Sequence, residues 1–169
     1  VRRNLTQSLP TVQLFELGSV FRREAALAET RRLGIALSGA WLRDWRTTQP
    51  CDFFQLKGIL ETIVQRQCGV TPAAEPANEP WAEPGESARL LMEGRPLGTA
   101  GRVARRIAQA LDLEQDVWFA ELEVEVLLGG KRRAASVHAP PQFPPVKRDL
   151  SVIVDDGVSF ERLREAIRE

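Results

Sequence analysis

The stretch VQLFELGSVFRREAALAETRRLGIALSG, residues 12–39, decides the fold class. Its first part alternates as a strand does, with Val12, Leu14 and Val20 on one face and Phe15, Leu17 and Phe21 on the other. Apolar side chains on both faces predict a central strand. The polar run RREAALAETRR reads as a connector. A second alternation follows, placing Leu33, Ile35 and Leu37 on one face and Gly34, Ala36 and Ser38 on the other, where small side chains admit close packing. Two strands and a charged connector predict a long-looped antiparallel pair.

Further along, Asp52 is placed to accept the first amide hydrogens of a helix. Leu56, Ile59, Leu60, Ile63 and Val64 recur at helical spacing until Gly69 and Pro72 stop it. Thr71 to Gly85, with Pro72, Pro76, Pro80 and Pro84 and no periodicity, reads as a long surface connection. Ala88 to Met92 and Leu97 to Gly101 flank a turn at Gly94 and Arg95, a hairpin signal. Val103, Ile107, Ala110 and Leu111 line one face of a short helix. Its other face carries Arg102, Arg105 and Arg106, read as a solvated face with a phosphate-binding ridge as the alternative. Val117 to Leu128 alternates again: Trp118, Ala120, Leu122, Val124, Val126 and Leu128 point to a core, while Glu121, Glu123 and Glu125 point away, read as a solvated row with a metal or acid/base array as the alternative. Strands joined by hairpins and loops, with two helices and no regular β-α-β alternation, predict an α+β fold on an antiparallel sheet.

Residues 131–145 change character, from the basic KRRAAS to the proline-rich HAPPQFPP, and mark a linker between a core domain over residues 1–130 and a second unit over 146–169. In that unit Val146 to Asp155 reads as a strand, and Phe160, Leu163, Ala166 and Ile167 as one face of a helix. One strand and one helix cannot form a core of their own, so they read as the opening of a domain cut short.

Composition narrows the chemistry. Across 169 residues, 23 Lys+Arg balance 23 Asp+Glu, so no global basic field recruits nucleic acid. With 43% hydrophobic residues and no apolar run near the ~20 residues of a membrane span, the chain reads as a soluble cytoplasmic protein. Its N-terminus, VRRNLTQSLP, lacks a basic patch followed by an apolar core. Cys51, Cys68 and the lone His138 cannot supply four zinc ligands, and both cysteines are expected reduced. His138, in the proline-rich connector, reads as a surface residue rather than as part of a nucleophilic site. P-loop and dinucleotide fingerprints are missing from the sequence. No catalytic, cofactor-binding or metal residue is assigned.

Several segments taken in order resemble a known family: LFELGSVF (14–21), CDFFQLKG (51–58), EPGESA (83–88), GRPLGTAG (94–101) and FPPVKRDLSVIV (143–154). They are similar to the C-terminal region of the bacterial phenylalanine-tRNA ligase beta subunit, over nearly the whole chain. The resemblance implies a class II aminoacyl-tRNA synthetase-like core, an antiparallel sheet flanked by helices, followed by the first strand and helix of a ferredoxin-like anticodon-binding domain. FRRE, Phe21 to Glu24, matches the F-R-x-E string by which class II enzymes place an ATP-binding arginine. The glycine-rich, arginine-ending third motif would fall on FAELEVEVLL, Phe119 to Leu128, which has neither glycine nor arginine. Gly101, Arg102, Val103 and Ala104 replace the family's usual glycine, acidic residue and His-Pro pair.

The resemblance thus implies a catalytically silent copy of the fold within a ligase. That copy would scaffold the catalytic alpha subunit, which handles ATP, magnesium and phenylalanine, and would carry a tRNA-binding domain. Lys147 and Arg148, with Lys131, Arg132 and Arg133 nearby, are then the candidate tRNA contacts, with local ion pairing at a strand start as the alternative. The rival reading is a stand-alone synthetase-like module that binds protein or a small ligand.

Overall fold

A computed structural model describes residues 11–23, 27–130, 146 and 148–168. His138, Lys147 and the linker 131–145 lie outside the described residues. The chain divides into two compact units, Val1–Ala135 and Ser136–Glu169.

The first unit is built on a seven-stranded sheet. Its strands are β1 (Thr11–Arg23), β2 (Leu27–Arg43), β3 (Thr48–Pro50), β4 (Ala73–Ala77), β5 (Ala82–Met92), β6 (Arg95–Val103) and β7 (Val117–Glu123). The order is β1-β2-β7-β6-β5-β4, with β3 alongside β2, and every pairing is antiparallel. The expected α+β class and antiparallel sheet are both present.

Helix α1 (Phe53–Cys68) starts where the sequence places it. The Asp52 carboxylate accepts from Phe54 N at 2.7 Å and Gln55 N at 3.2 Å, and the Gln55 side chain accepts from Asp52 N at 2.7 Å, closing a capping box. Gly69, at φ +73°, ends it in the left-handed conformation. Leu56, Leu60, Val64 and Cys68 form its buried stripe. They pack on Ile35, Leu37, Leu90, Leu97, Ala100, Ala120 and Leu122, the core-facing residues of β2, β5, β6 and β7. Each fully buried leucine there contributes about 1.5–3 kcal/mol. The β5–β6 hairpin turns on Glu93 and Gly94, both at positive φ, as two-residue turns of this hand require.

Several expectations need correction. β1 is an edge strand rather than a central one. Its two apolar faces do not report burial: Phe15 is 79% exposed, Leu17 61% and Phe21 59%. The polar connector is largely strand, because Arg22 and Arg23 pair with Ala28 and Leu27 and main-chain bonding continues whatever the side chains are. The proline-rich connection contains β4, with Pro76 tolerated because a strand at a sheet edge need not offer every N–H.

The strand expected to run to Leu128 ends at Glu123, where pairing with Arg32 of β2 stops. The chain then turns into helix α3 (Val124–Gly129), burying Val124 and Leu127 at i, i+3. The remaining short helix, α2, covers only Arg105–Ala110, so Arg102 and Val103 belong to β6. The core thus has three helices among the described residues, not two.

In the second unit, helix α4 (Phe160–Arg168) is present. Residues 148–155 carry no strand pairing, since a strand exists only with a partner. Among the described residues no helix is long and apolar enough to cross a membrane.

Candidate functional site

One face of the sheet lies against α1, and among the described residues the other is open along β1, β2 and β7. Because side chains alternate, the open face of β1, β2 and β7 collects Leu14, Glu16 and Gly18; Arg32, Gly34 and Ala36; and Phe119 and Glu121. They line a groove of about 690 Å³. Gly18, Gly34 and Ala36 leave its floor low, as small residues on the open side of β2 predict. The Phe119 ring stands edge-on to Trp81, with centroids 5.4 Å apart.

The positive charge in this groove comes from Arg32, a residue that sequence reasoning did not single out. Its guanidinium lies 2.8 Å from the Glu123 carboxylate and 3.7 Å from that of Glu121. Only 15% of the Arg32 side chain is exposed, and its Nε is buried without a hydrogen-bond partner among the described residues. The register Arg32↔Glu123 was the available signal, but it depends on β2 pairing with a strand far away in sequence. Arg31 next to it bonds Glu125 of α3 at 2.8 Å, and this bond holds the Glu125 carboxyl below its ordinary value. The acidic row is therefore split between a strand and a helix, and each of its members pairs with an arginine of β2. It is not a bare solvated face.

Phe21, Arg22 and Arg23 of FRRE do not line this groove, and Glu24 lies outside the described residues. Arg22 pairs with Ala28 beyond the last β7 contact at Arg32, where the sheet has narrowed to the β1–β2 hairpin. The arginine ridge is likewise taken apart. Arg102 bonds Glu86 and Asp116 and Arg106 donates to the carbonyl of Pro80 at 2.5 Å, while at Arg105 it is the backbone N–H that donates to Glu83, at 3.0 Å. Burial pushes both thiols up, and the Cys68 sulfur bonds the Leu127 carbonyl at 3.1 Å. Arg148 is exposed in the second unit.

Among the described residues the groove supplies neither an uncommitted cation for a polyphosphate nor an activated nucleophile. Arg32 is engaged by two carboxylates, and the cysteines are buried away from the groove.

The profile described as "Phenylalanyl tRNA synthetase beta chain CLM domain" matches residues 1–124. The phenylalanine–tRNA ligase beta subunit of Xylella fastidiosa (strain Temecula1) is 33% identical over 173 residues, 99% of this chain and 22% of that protein. That of Cupriavidus pinatubonensis is 32% identical over 181 residues, with 99% and 22% covered. That of Bacillus subtilis (strain 168) is 30% identical over 176 residues, with 100% and 22% covered. The chain spans about a fifth of the length of the curated relatives it matches.

Proposed function

From the premise that the chain belongs to the phenylalanyl-tRNA synthetase beta-chain family, we propose that it is a non-catalytic region of a phenylalanine-tRNA ligase. Its core unit is read as a class II synthetase-like domain that scaffolds the catalytic alpha subunit. Its second unit is read as the start of a ferredoxin-like anticodon-binding domain that brings tRNA. ATP, magnesium and phenylalanine are handled by the alpha subunit, in the cytoplasm.

One observation carries the silent role. By the resemblance, the glycine-rich, arginine-ending third motif of a class II enzyme falls on Phe119 to Leu128, which spans β7 and α3. Here that segment presents Glu121, Glu123 and Glu125, and the nearby Arg32 is bound to the first two. The residues do not fit ATP: the groove meets a polyphosphate with carboxylates whose repulsion Arg32 only partly offsets. Nor do they fit magnesium, because Glu121 and Glu123 already pair with a guanidinium.

The test is phenylalanine-dependent exchange of pyrophosphate into ATP, run on this chain alone and after co-expression with a phenylalanine-tRNA ligase alpha subunit. No exchange alone, together with co-purification of the alpha subunit, is expected. Exchange by the chain alone that disappears in Arg22→Ala would overturn the silent reading and make FRRE a working motif.

A further inference from the structure

The sheet ends differently at its two edges. β4 carries Pro76, whose missing N–H blunts that edge. β1 runs thirteen residues without a proline, and its outer side pairs with nothing among the described residues. Phe15, Leu17 and Phe21 stand on one face of β1 and are largely exposed. A long edge with bare backbone donors and acceptors and apolar side chains is a template for another strand.

The order of side chains along β1 says which strand fits. Centre an antiparallel copy of β1 on Ser19. Leu17 then faces Phe21 of the copy and Glu16 faces Arg22, each pair occurring twice by symmetry, while Phe15 faces Arg23. Centred on Gly18, Glu16 faces Val20; centred on Leu17, it faces Gly18. Both charge pairs are lost in either case. We propose that the free edge of β1 is a homodimer interface, where a second copy of this chain adds its own β1 antiparallel about Ser19. The contact is isologous and joins two sheets edge to edge.

The test is sedimentation equilibrium of the full chain across micromolar concentrations. A monomer–dimer equilibrium is expected. Glu16→Arg and Arg22→Glu should each weaken it about tenfold or more by setting like charges opposite each other, and the double variant should restore it. Ser19→Cys, on the two-fold axis, should give a disulfide-linked dimer under mild oxidation, whereas Gln13→Cys should not, because its sulfur meets no second copy of itself. Both exchanges lie on exposed positions, and circular dichroism confirms that each variant is folded. A chain monomeric at every concentration overturns the proposal. So does a dimer indifferent to the single exchanges, a double exchange that fails to recover, or a Ser19→Cys variant that does not cross-link.

Discussion

Arg102 of β6 and Glu86 of β5 meet in a two-point ion pair, with Nε 2.5 Å from Oε2 and Nη2 2.6 Å from Oε1. The pairing depends on an irregularity in β5. Between Ala82 and Ser87 the register with β6 shifts, and Gly85 at φ +77° sits inside that shift. The bulge aims Glu86 at the neighbouring strand, and the Glu86 hydrogen bonds hold the Arg102 guanidinium even further above its already high range.

The fork geometry makes Arg102→Lys a non-conservative change. Lysine keeps the charge but cannot make two parallel bonds, so about 1 kcal/mol of stability should be lost. Arg102→Ala also leaves Glu86 and Asp116 uncompensated and should cost about 1–2 kcal/mol. Urea midpoints at neutral pH measure both. Equal midpoints for wild type and the lysine variant would mean that charge alone, and not the fork, matters here.

The same bulge requires Gly101. A Cβ at that position would lie 2.5 Å from the Glu86 carbonyl oxygen and 2.9 Å from the Ser87 Cα, both backbone atoms that cannot swing aside. Gly98 is tighter, its would-be Cβ coming within 2.1 Å of the Glu121 carbonyl oxygen. Gly98→Ala and Gly101→Ala should each cost about 3 kcal/mol or more, by forcing β6 away from its neighbours. Gly129→Ala, with nothing within 4 Å, should be neutral or gain up to about 1 kcal/mol from helix propensity. Thermal melts of the three variants separate these outcomes.

The difference between these glycines shows what the sequence could and could not reveal. Asp52, the stripe from Leu56 to Val64 and Gly69 are local signals, and α1 was legible to its caps. The five long strands were legible for the same reason, since alternation is local. Whether β1 lies at the centre or the edge is not local: Phe15 and Leu17 look like core residues until the partner strands are counted. The Val124–Gly129 helix hid inside a longer alternation because Val124 to Leu128, all valine, glutamate and leucine, suit either period, and the end of pairing at Glu123 decides between them. Arg32 escaped notice for the reason that Gly98 did. Its meaning comes from a strand far along the chain, which only register brings alongside.

Acid should act on the Arg31–Glu125 pair. Arg31 bonding holds the folded Glu125 carboxyl below its ordinary value, so the pair's contribution is present above the unfolded value of about 4.3 and is lost as pH falls through the folded one. Arg31→Met should return the Glu125 titration, followed by carboxyl NMR shifts, upward toward the ordinary glutamate range. The stability difference between wild type and this variant should be visible at pH 7 and close under acid conditions, below the folded value. A difference that persists undiminished in acid would assign it to lost arginine packing rather than to the ion pair.

The proposed tRNA role makes Lys147 and Arg148 the residues to test in an intact alpha–beta ligase. Arg148 is exposed, so its charge is available to a phosphate. The chain as a whole is neutral, and the clustered positive charge near the second unit is this short basic run with Lys131, Arg132 and Arg133. Phosphate contacts made by two such residues are sequence-independent and fall steeply with salt. The isolated chain should therefore bind tRNA weakly, and more weakly still as salt rises. In the intact enzyme, Lys147→Ala with Arg148→Ala should raise the KM for tRNA and flatten the salt dependence of binding by about two counterions, while kcat and the KM for phenylalanine stay put. An unchanged KM for tRNA would make the two residues structural, with Arg148 engaged by a neighbouring carboxylate rather than by RNA.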